Sequence, residues 1–268
     1  MIVPAFNEAQ HIARCLRSLE QQTCPPREVI VVDDGSKDRT GVIAAWHRAR
    51  VVRTRHCGPA QARNLGSSLA TGELLVFLDA DMACGPRFLE ELVGPISDGR
   101  AIGSFSRELH IGNPENRWAR AYATIRRHAF PRVLPSSHPG ESPNYRAIRR
   151  DDFLAVNGYD DVGYGEDMTL APKLGRLAVC ADGAYCVHFN PSSLWEIFEN
   201  GRWIGRGHDI GNVFHPWFDN LPLRAGVLAF RDLRNGCGPA ILPARFAYHT
   251  GLLVGLCRRA VWPDRHWK

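Results

Sequence analysis

The stretch ELLVFLDADM, residues 73–82, is an apolar run that leads directly into two carboxylates. Five of the six residues from Leu74 to Asp79 are apolar, which predicts a buried strand. Asp79 and Asp81 stand two residues apart, so on an extended chain both side chains point the same way. Two like charges at the end of a buried strand are costly unless something compensates them. The pattern therefore predicts a positively charged partner at this position.

The region around this stretch alternates between strand and helix patterns. Strand patterns begin at Ile2, Glu28, Val51 and Glu73, and helical patterns cover 9–22, 36–46 and 60–70. This alternation predicts βαβ units, a parallel sheet and the α/β fold class. We expect the first strand to break at Pro4, because proline lacks a backbone N–H. In such open sheets, ligands bind beyond the carboxyl ends of the strands.

Acidic and basic side chains occupy those predicted ends. Asp33 and Asp34 follow the strand in VIVVDDGSKDRT, residues 29–40, where a carboxylate accepts from a nucleobase N–H or a ribose hydroxyl. Capping of the next helix by Asp34, Ser36 or Asp38 is an alternative that operates equally well alongside ligand binding. Arg63 falls in the first turns of a predicted helix and suits a diphosphate, with a surface salt bridge as the alternative.

The second half of the sequence is less regular. The patterns predict a strand at 101–108, a basic helix at 114–128, a proline-rich loop at 130–143, a strand and short helix at 145–161, a helix at 166–177 with Pro172 in a first turn or at a kink, strands at 177–189 and a helix at 192–205. The segment from Leu221 onward is apolar, basic and punctuated by prolines.

Composition excludes several classes of protein. The chain has 268 residues and a formal net charge of +5, with acidic and basic residues interleaved, so we expect no nucleic-acid partner. The eight cysteines form no CxxC pair, which argues against a zinc site and favours reduced thiols in the cytoplasm. We see no signal peptide at the start and expect no membrane span.

Four blocks resemble the family 2 glycosyltransferases in their order and spacing. They are IVPAFNEAQHIARCLRSL (2–19), EVIVVDDGSKDRT (28–40), GPAQARNLGSSLATGELLVFLDADM (58–82) and NGYDDVGYGEDMTL (157–170). The similarity extends over residues 2–206. It implies an inverting, nucleotide-sugar-dependent enzyme with the GT-A fold, a Rossmann-like and mostly parallel sheet flanked by helices.

The resemblance also implies roles for individual residues. Pro4, Ala5, Asn7 and Glu8 match the loop that meets the nucleotide, Asp33 the residue that reads the base, with Asp34 beside it, and Arg63 the basic neighbour. Asp79 and Asp81 match the DxD pair, which makes Asp79 a nucleotide-binding and metal-binding residue and Asp81 the aspartate that holds the divalent cation, Mn²⁺ or Mg²⁺, directly. Hard oxygen ligands suit both ions. The alternative for this pair is a solvated turn after a strand.

The block GYGEDMTL resembles the family's acidic motif, which makes Asp167 the expected catalytic base. An acceptor hydroxyl is a poor nucleophile until a base takes its proton. Glu166 is the alternative base or orients the acceptor, and both residues also suit an acidic helix start. His188 falls where many relatives place a histidine that completes the metal or diphosphate site. By itself, a histidine among apolar residues is equally well structural.

Residues 199–203, ENGRW, are similar to the QxxRW motif of processive family members. Glu199 replaces the glutamine, which argues against processive synthesis. Arg202 and Trp203 still match residues near an acceptor or diphosphate, with core packing as the alternative for Trp203.

We therefore expect a nucleotide-sugar-binding half at 1–100, an acceptor-binding and catalytic half at 101–206, and a helical, membrane-proximal extension at 207–268. The expected donor is a UDP- or GDP-sugar and the acceptor a sugar or glycoconjugate. An alternative activity is that of a polyprenyl-phosphate glycosyltransferase, which transfers the sugar to a lipid phosphate. Peripheral contact with the cytoplasmic face of a membrane is a second open alternative. Both rest on the basic residues Arg117, Arg120, Arg126, Arg127 and His128 and on the tail near Arg258 and Arg259. A non-catalytic sugar-nucleotide-binding protein is the other alternative.

Overall fold

The structure is a computed structural model that describes residues 1–207 and 221–261. The chain divides into two compact units that interleave along the sequence. The first unit comprises Met1–His110, Leu134–Asp161 and Glu166–His188, and the second comprises Ile111–Val133, Val162–Gly165 and Phe189–Lys268. The segments expected from sequence were consecutive, and part of the expected segment 207–268 lies outside the described residues.

The first sheet of unit 1 is parallel, as the alternating pattern predicts. Its strands β1 (Ile2–Ala5), β2 (Ile30–Asp33) and β3 (Arg50–Arg53) pair in that order, and the helices α1 (Ile12–Glu20), α2 (Thr40–Trp46) and α3 (Pro59–Leu69) follow them along the chain. The expected break at Pro4 is wrong, because Pro4 pairs with Val32 inside β1. Proline is tolerated on the end strand of a sheet, and β1 is the end strand of this one. The register aligns Ala5 with Asp33, so both strands end at one edge.

The second sheet is mixed. Its strands are β4 (Leu74–Val76), β6 (Gly103–Phe105), β8 (Glu141–Ser142), β9 (Ala147–Arg149) and β10 (Ala178–Cys180), in the order β4-β9-β6-β10-β8. Only β6 and β10 run parallel among its pairs, and β4 is antiparallel to β9. The strand predicted for the apolar run 74–79 ends at Val76 and is shorter than expected. A parallel bridge from Ile2 to Phe77 continues the run beside β1.

A third, small sheet brings a distant segment to the end of this run. Its strands β5 (Met82–Cys84), β11 (Cys186–His188) and β7 (Leu109–Ile111) pair in that order. The antiparallel register of β5 and β11 sets His188 opposite Met82. The remaining helices of unit 1 are α4 (Phe88–Ser97), α6 (Arg150–Ala155), a 3-10 turn (Glu166–Met168) and α7 (Leu170–Leu174). Pro172 lies in the first turn of α7, as one of the two alternatives predicted.

The core of unit 1 has two layers, one on each face of the first sheet. Val31 of β2 packs with Leu16 and Phe88 in one layer. Its neighbours Ile30 and Val32 pack in the other layer. Because successive side chains on a strand point to opposite faces, a continuous apolar run such as EVIVV is needed to fill both layers.

Unit 2 is helical in its described part. It contains α5 (Arg117–Ile125), α8 (Leu194–Ile204), α9 (Pro222–Arg234) and α10 (Ile241–Val261). Helices α8 and α10 approach closely at glycines: a Cβ on Gly205 would lie 2.3 Å from the Leu252 carbonyl oxygen. The helical C-terminal part is thus confirmed for 222–234 and 241–261. Within the described residues, no helix is long and apolar enough to cross a membrane.

Candidate active site

The loop after β1 is tied to the loop after β2 by hydrogen bonds. The amide of Asn7 donates to the Ser36 hydroxyl (2.9 Å), and Lys37 donates its amide to the Asn7 side chain (2.8 Å). The amide of Glu8 donates to Thr40 (2.7 Å). Asn7 has φ of 57°, a conformation that asparagine adopts more readily than most residues. The structure thereby brings together six of the predicted nucleotide-binding residues, Pro4, Ala5, Asn7, Glu8, Asp33 and Asp34.

Asp33 is held in a buried position at the end of β2. Its side chain is 2 % exposed and accepts a hydrogen bond from the Ser36 amide at 2.8 Å. A Cβ at position 41 would lie only 2.7 Å from the second carboxylate oxygen, so Gly41 makes room for it. Arg53 lies 3.9 Å from the same oxygen. One carboxylate edge of Asp33 is therefore fixed by its own loop.

The neighbouring Asp34 anchors a different loop. Its carboxylate accepts from the amides of Cys57 (2.7 Å) and Gly58 (2.8 Å) and from the Thr54 hydroxyl, and His56 lies 3.3 Å away. Burial by itself would raise the pKa of Asp34, but these hydrogen bonds outweigh it and hold the pKa well below its usual range. Capping of the next helix, α2, by Asp34 is therefore wrong: its carboxylate instead fixes the loop that leads into α3. Nucleotide contact by Asp34 stays a prediction.

The positive charge predicted beside the aspartate pair is found for Asp79 in two arginines. Arg63 Nη2 lies 2.7 Å from Asp79 Oδ1, and Arg146 Nη1 lies 2.9 Å from Oδ2. Both guanidinium side chains are largely buried. Burial alone would raise the pKa of Asp79, but the charges of Arg146 and Arg63 hold it well below its usual range. Sequence reasoning missed Arg146; the only signal was a basic residue directly before the apolar strand β9.

Asp81 faces His188 instead. Asp81 Oδ2 lies 3.2 Å from His188 Nε2, because the pairing of β5 with β11 carries the histidine to this point. Burial would lower the pKa of His188, but the Asp81 carboxylate outweighs it and the pKa is raised. The other oxygen of Asp81, Oδ1, is buried and has no hydrogen-bond partner among the described residues. A buried carboxylate oxygen without a partner is costly, so this atom is suited to a ligand that the chain does not supply.

The residues present fit a divalent cation only in part. A carboxylate and an imidazole are ligands that Mn²⁺ accepts, and Asp81 Oδ1 has a lone pair available for a cation. Over residues 1–207 and 221–261, however, no three histidine, cysteine or acidic side chains converge on one metal position. The structure brings Asp81 and His188 together, while both oxygens of Asp79 are engaged by arginines.

The two acidic residues of the 3-10 turn have different environments. Glu166 is 4 % exposed and forms an ion pair with Nη1 of Arg63, the same guanidinium that holds Asp79. Burial raises the pKa of Glu166, although Arg63 opposes this. Asp167 is more exposed and accepts a hydrogen bond from the Asn144 amide group at 2.6 Å. Sequence reasoning also missed Asn144, which carries no sequence signal of its own.

Arg202 and Trp203 lie on α8 in unit 2. Arg202 forms an ion pair with Glu199 one turn earlier, so the residue that replaces the family's glutamine holds this arginine. The Trp203 ring meets Tyr164 edge to face at 5.0 Å between centroids and packs on the core of unit 2. The packing alternative for Trp203 is therefore confirmed, and contact of either residue with a ligand stays a prediction.

Comparison with known sequences identifies related proteins. Residues 1–156 match the sequence model of "Glycosyl transferase family 2". The uncharacterized glycosyltransferase EpsJ of Bacillus subtilis is 38% identical over 215 residues, which cover 74% of this chain and 62% of EpsJ. Glycosyltransferase AglE of Haloferax volcanii is 37% identical over 105 residues, covering 36% of this chain and 34% of AglE. The first curated relatives are thus matched over 28% to 38% of their own length.

Solved structures share the fold. The mannosyltransferase PcManGT from Pyrobaculum calidifontis, in complex with GDP-Man and Mn²⁺, superposes with a TM-score of 0.57 at 21% identity, covering 98% of this chain and 86% of that one. Staphylococcus aureus TarS 1–349 in complex with UDP-GlcNAc gives 0.56 at 16% identity, covering 97% and 90%. At such identities the likeness establishes the GT-A fold.

Proposed function

The chain belongs to the family 2 glycosyltransferases, and from that premise we propose that it transfers a sugar from a UDP- or GDP-sugar to an acceptor hydroxyl, with inversion and with the help of a divalent cation. The single observation that carries this proposal is the environment of Asp81. Its carboxylate follows the apolar run that begins with β4, with one oxygen 3.2 Å from His188 and the other buried and without a hydrogen-bond partner in the described part of the chain.

The proposed donor site lies at the edge where β1 and β2 end. The loop of Asn7 and Glu8 is fixed against Ser36 and Thr40, and Asp33 is buried beside it. A site whose groups are fixed before the ligand arrives loses less entropy on binding. TarS is described with UDP-GlcNAc and PcManGT with GDP-Man, which supports this donor class for the same fold.

We assign Mn²⁺ or Mg²⁺ to Asp81 and His188. When bound there, the cation would neutralise charge on the departing nucleoside diphosphate. The chain's own contribution is to hold the ligands: the β5–β11 pairing positions His188, and the two arginines fix Asp79 two residues before Asp81. The Mn²⁺ named with PcManGT supports this assignment.

Asp167 is the better base of the two acidic residues in the 3-10 turn. Glu166 is bound by Arg63, whereas Asp167 has one oxygen on Asn144 and its carboxylate is partly exposed. In the proposed reaction Asp167 takes the proton of the acceptor hydroxyl as that oxygen bonds to the anomeric carbon. The bond from this carbon to the diphosphate breaks on the opposite face, which gives inversion.

Thermal shift tests the donor and metal assignments. We expect the unfolding midpoint of the wild type to rise with UDP or with GDP in the presence of Mn²⁺ or Mg²⁺, and not with EDTA. Asp81→Asn should abolish the rise. Asp160→Asn is the matched control, because Asp160 is a largely exposed aspartate whose partner is Lys173, at 2.7 Å. If no nucleotide shifts the wild type under any condition, the proposed donor class is wrong.

Turnover distinguishes the enzyme from a non-catalytic binding protein. Release of nucleoside diphosphate from UDP- and GDP-sugars, measured with a panel of saccharide acceptors, should be metal-dependent in the wild type. Nucleotide binding without release for every acceptor class, lipid phosphates included, would favour the binding-protein alternative. Release only with a polyprenyl phosphate would replace the hydroxyl acceptor by a lipid phosphate. A cytoplasmic location stays a prediction.

A further inference from the structure

Helix α9 carries an apolar stripe on its outer face. Leu223, Val227 and Phe230 are 83%, 62% and 63% exposed. Val227 and Phe230 follow Leu223 by four and seven residues, so all three side chains share one face of the helix. Ala225 and Ala229 on the opposite face are fully buried. The helix is therefore anchored in unit 2 by small residues and presents its large apolar side chains outward.

The stripe continues onto neighbouring segments. Leu221, directly before α9, is 44% exposed, and Leu242 and Phe246 of α10 are 44% and 38% exposed. The Phe246 ring adjoins α9, since a Cβ on Gly226 would lie 3.7 Å from it. Scattered single apolar residues need no explanation, but a contiguous exposed patch marks a surface that another body covers.

The charges around this patch have one sign. Between Leu221 and Val261 the only acidic residue is Asp232. Asp232 is 5% exposed and accepts two hydrogen bonds from Arg245, at 2.9 and 2.6 Å. The exposed charged residues beside the stripe on α9 include Arg231, which also lies 3.5 Å from Asp232, and Arg234. The outer surface is thus apolar and cationic.

The basic helix α5 contributes less than its sequence suggests. Arg126, in the basic run 117–128, donates to the Tyr248 hydroxyl at 3.0 Å and to the Tyr164 hydroxyl, inside unit 2. Its charge therefore serves the packing of this unit. Arg126 is therefore not part of the basic surface expected to meet a membrane, and the helices α9 and α10 belong to the C-terminal segment that carries the other part of that expectation.

We propose that the α9 stripe (Leu223, Val227, Phe230), with Arg231 and Arg234 of the same helix beside it, docks on the surface of an anionic phospholipid bilayer. Apolar side chains would enter the boundary of the acyl chains, and the arginines would meet lipid phosphates. Charge complementarity favours this occupant over a second copy of the chain, because a two-fold contact would set arginines against arginines. The proposal is independent of the transfer reaction.

Vesicle flotation with the full chain tests the proposal. We expect the wild type to float with vesicles of phosphatidylcholine and phosphatidylglycerol in equal parts, and much less with phosphatidylcholine alone or at high salt. The triple variant Leu223→Ser, Val227→Ser, Phe230→Ser should lose at least about tenfold in partition. Trp46→Ser, at a residue 73% exposed on α2 of unit 1, is the apolar control and should bind like the wild type.

The arginines are tested by Arg231→Gln with Arg234→Gln. At about 1 kcal/mol per arginine near an anionic surface, the pair should cost roughly thirtyfold in partition. Arg27→Gln with Arg100→Gln is the charge-matched control on exposed residues of unit 1. Absence of flotation for the wild type, or equal flotation of the triple variant, would overturn the proposal. Self-association of the wild type that the triple variant abolishes, without flotation, would assign the surface to a second copy.

Discussion

Arg146 and Asp79 form an ion pair, and a backbone hydrogen bond from Phe77 to Arg146 lies beside it. Arg146 Nη1 donates to Asp79 Oδ2 at 2.9 Å, and the Arg146 carbonyl accepts from the Phe77 amide, also at 2.9 Å. The segment before β9 is thereby fastened to the end of the β4 run by backbone and side chain together. Arg63 holds the other oxygen of the same carboxylate. Three charged groups from distant parts of the chain therefore form one cluster directly before Asp81, in which both guanidinium groups are largely buried.

Replacing Arg146 should destabilise the fold strongly. Arg146→Met leaves the Asp79 carboxylate with Arg63 alone, and removal of one partner of a buried ion pair costs about 3 kcal/mol. Urea unfolding at neutral pH measures the change. Arg87→Gln is the control, since Arg87 is 64% exposed and pairs with Glu91 at 2.8 Å on the surface. It should cost about 0.5 kcal/mol or less, and similar losses for both variants would contradict the cluster's role.

Substitutions of the two acidic residues in the 3-10 turn should differ in their effects on turnover and on the free energy of unfolding. Asp167→Asn removes the proposed base, so we expect turnover to fall by about 10²–10⁴ while nucleotide binding and unfolding free energy change little. Initial rates and a thermal shift with nucleotide measure both. Unchanged turnover in this variant would remove Asp167 from the mechanism.

Glu166→Gln should lower the stability of the fold, in contrast to Asp167→Asn. The neutral side chain no longer compensates the buried charge of Arg63, so the free energy of unfolding should fall by about 1–3 kcal/mol. Urea unfolding of both variants beside the wild type makes the comparison. A loss of turnover in Glu166→Gln with unchanged stability would instead favour Glu166 as the base.

Acid should release the loop that Asp34 anchors. Its pKa in the folded chain lies below the value of about 3.9 expected for the unfolded chain, so its stabilisation is complete above about pH 5 and is lost as the pH falls. Asp34→Asn should therefore cost about 2–3 kcal/mol at pH 7. The difference from wild type should narrow between about pH 5 and pH 3, as urea unfolding over that range will measure. A difference that is constant with pH would contradict this role of the carboxylate.

Because α8 packs closely on α10 at Gly205, a larger residue at this position should destabilise the fold. In Gly205→Ala the new Cβ would lie 2.3 Å from the Leu252 carbonyl oxygen, so the helices must separate, at a cost of about 1–3 kcal/mol. Gly226→Ala in α9 is the control, because its Cβ meets only the Phe246 ring at 3.7 Å. Higher helix propensity should make that variant neutral or up to about 1 kcal/mol more stable. Thermal unfolding followed by circular dichroism compares the two.

The sequence by itself determined the parallel first sheet and the acidic residues that follow β2 and the apolar run of β4. Continuous apolar runs such as VIVV (29–32) and LLVF (74–77) are stable in water only when both faces of the strand are buried. The chain turns after each run, which places Asp33, Asp79 and Asp81 beyond the carboxyl ends of the strands. It also indicated the helices of the C-terminal part. These features follow from local patterns and from four blocks of family resemblance.

Only the tertiary structure decided what those carboxylates face. Arg146 and Asn144 stand in an unremarkable segment, and they reach Asp79 and Asp167 because strand pairing folds the chain back over more than twenty residues. His188 reaches Asp81 through the β5–β11 register, and β5 is too short to be seen as a pattern. Pairing over such distances depends on the fit of whole sheets, whereas periodicity records only which face of each element is buried.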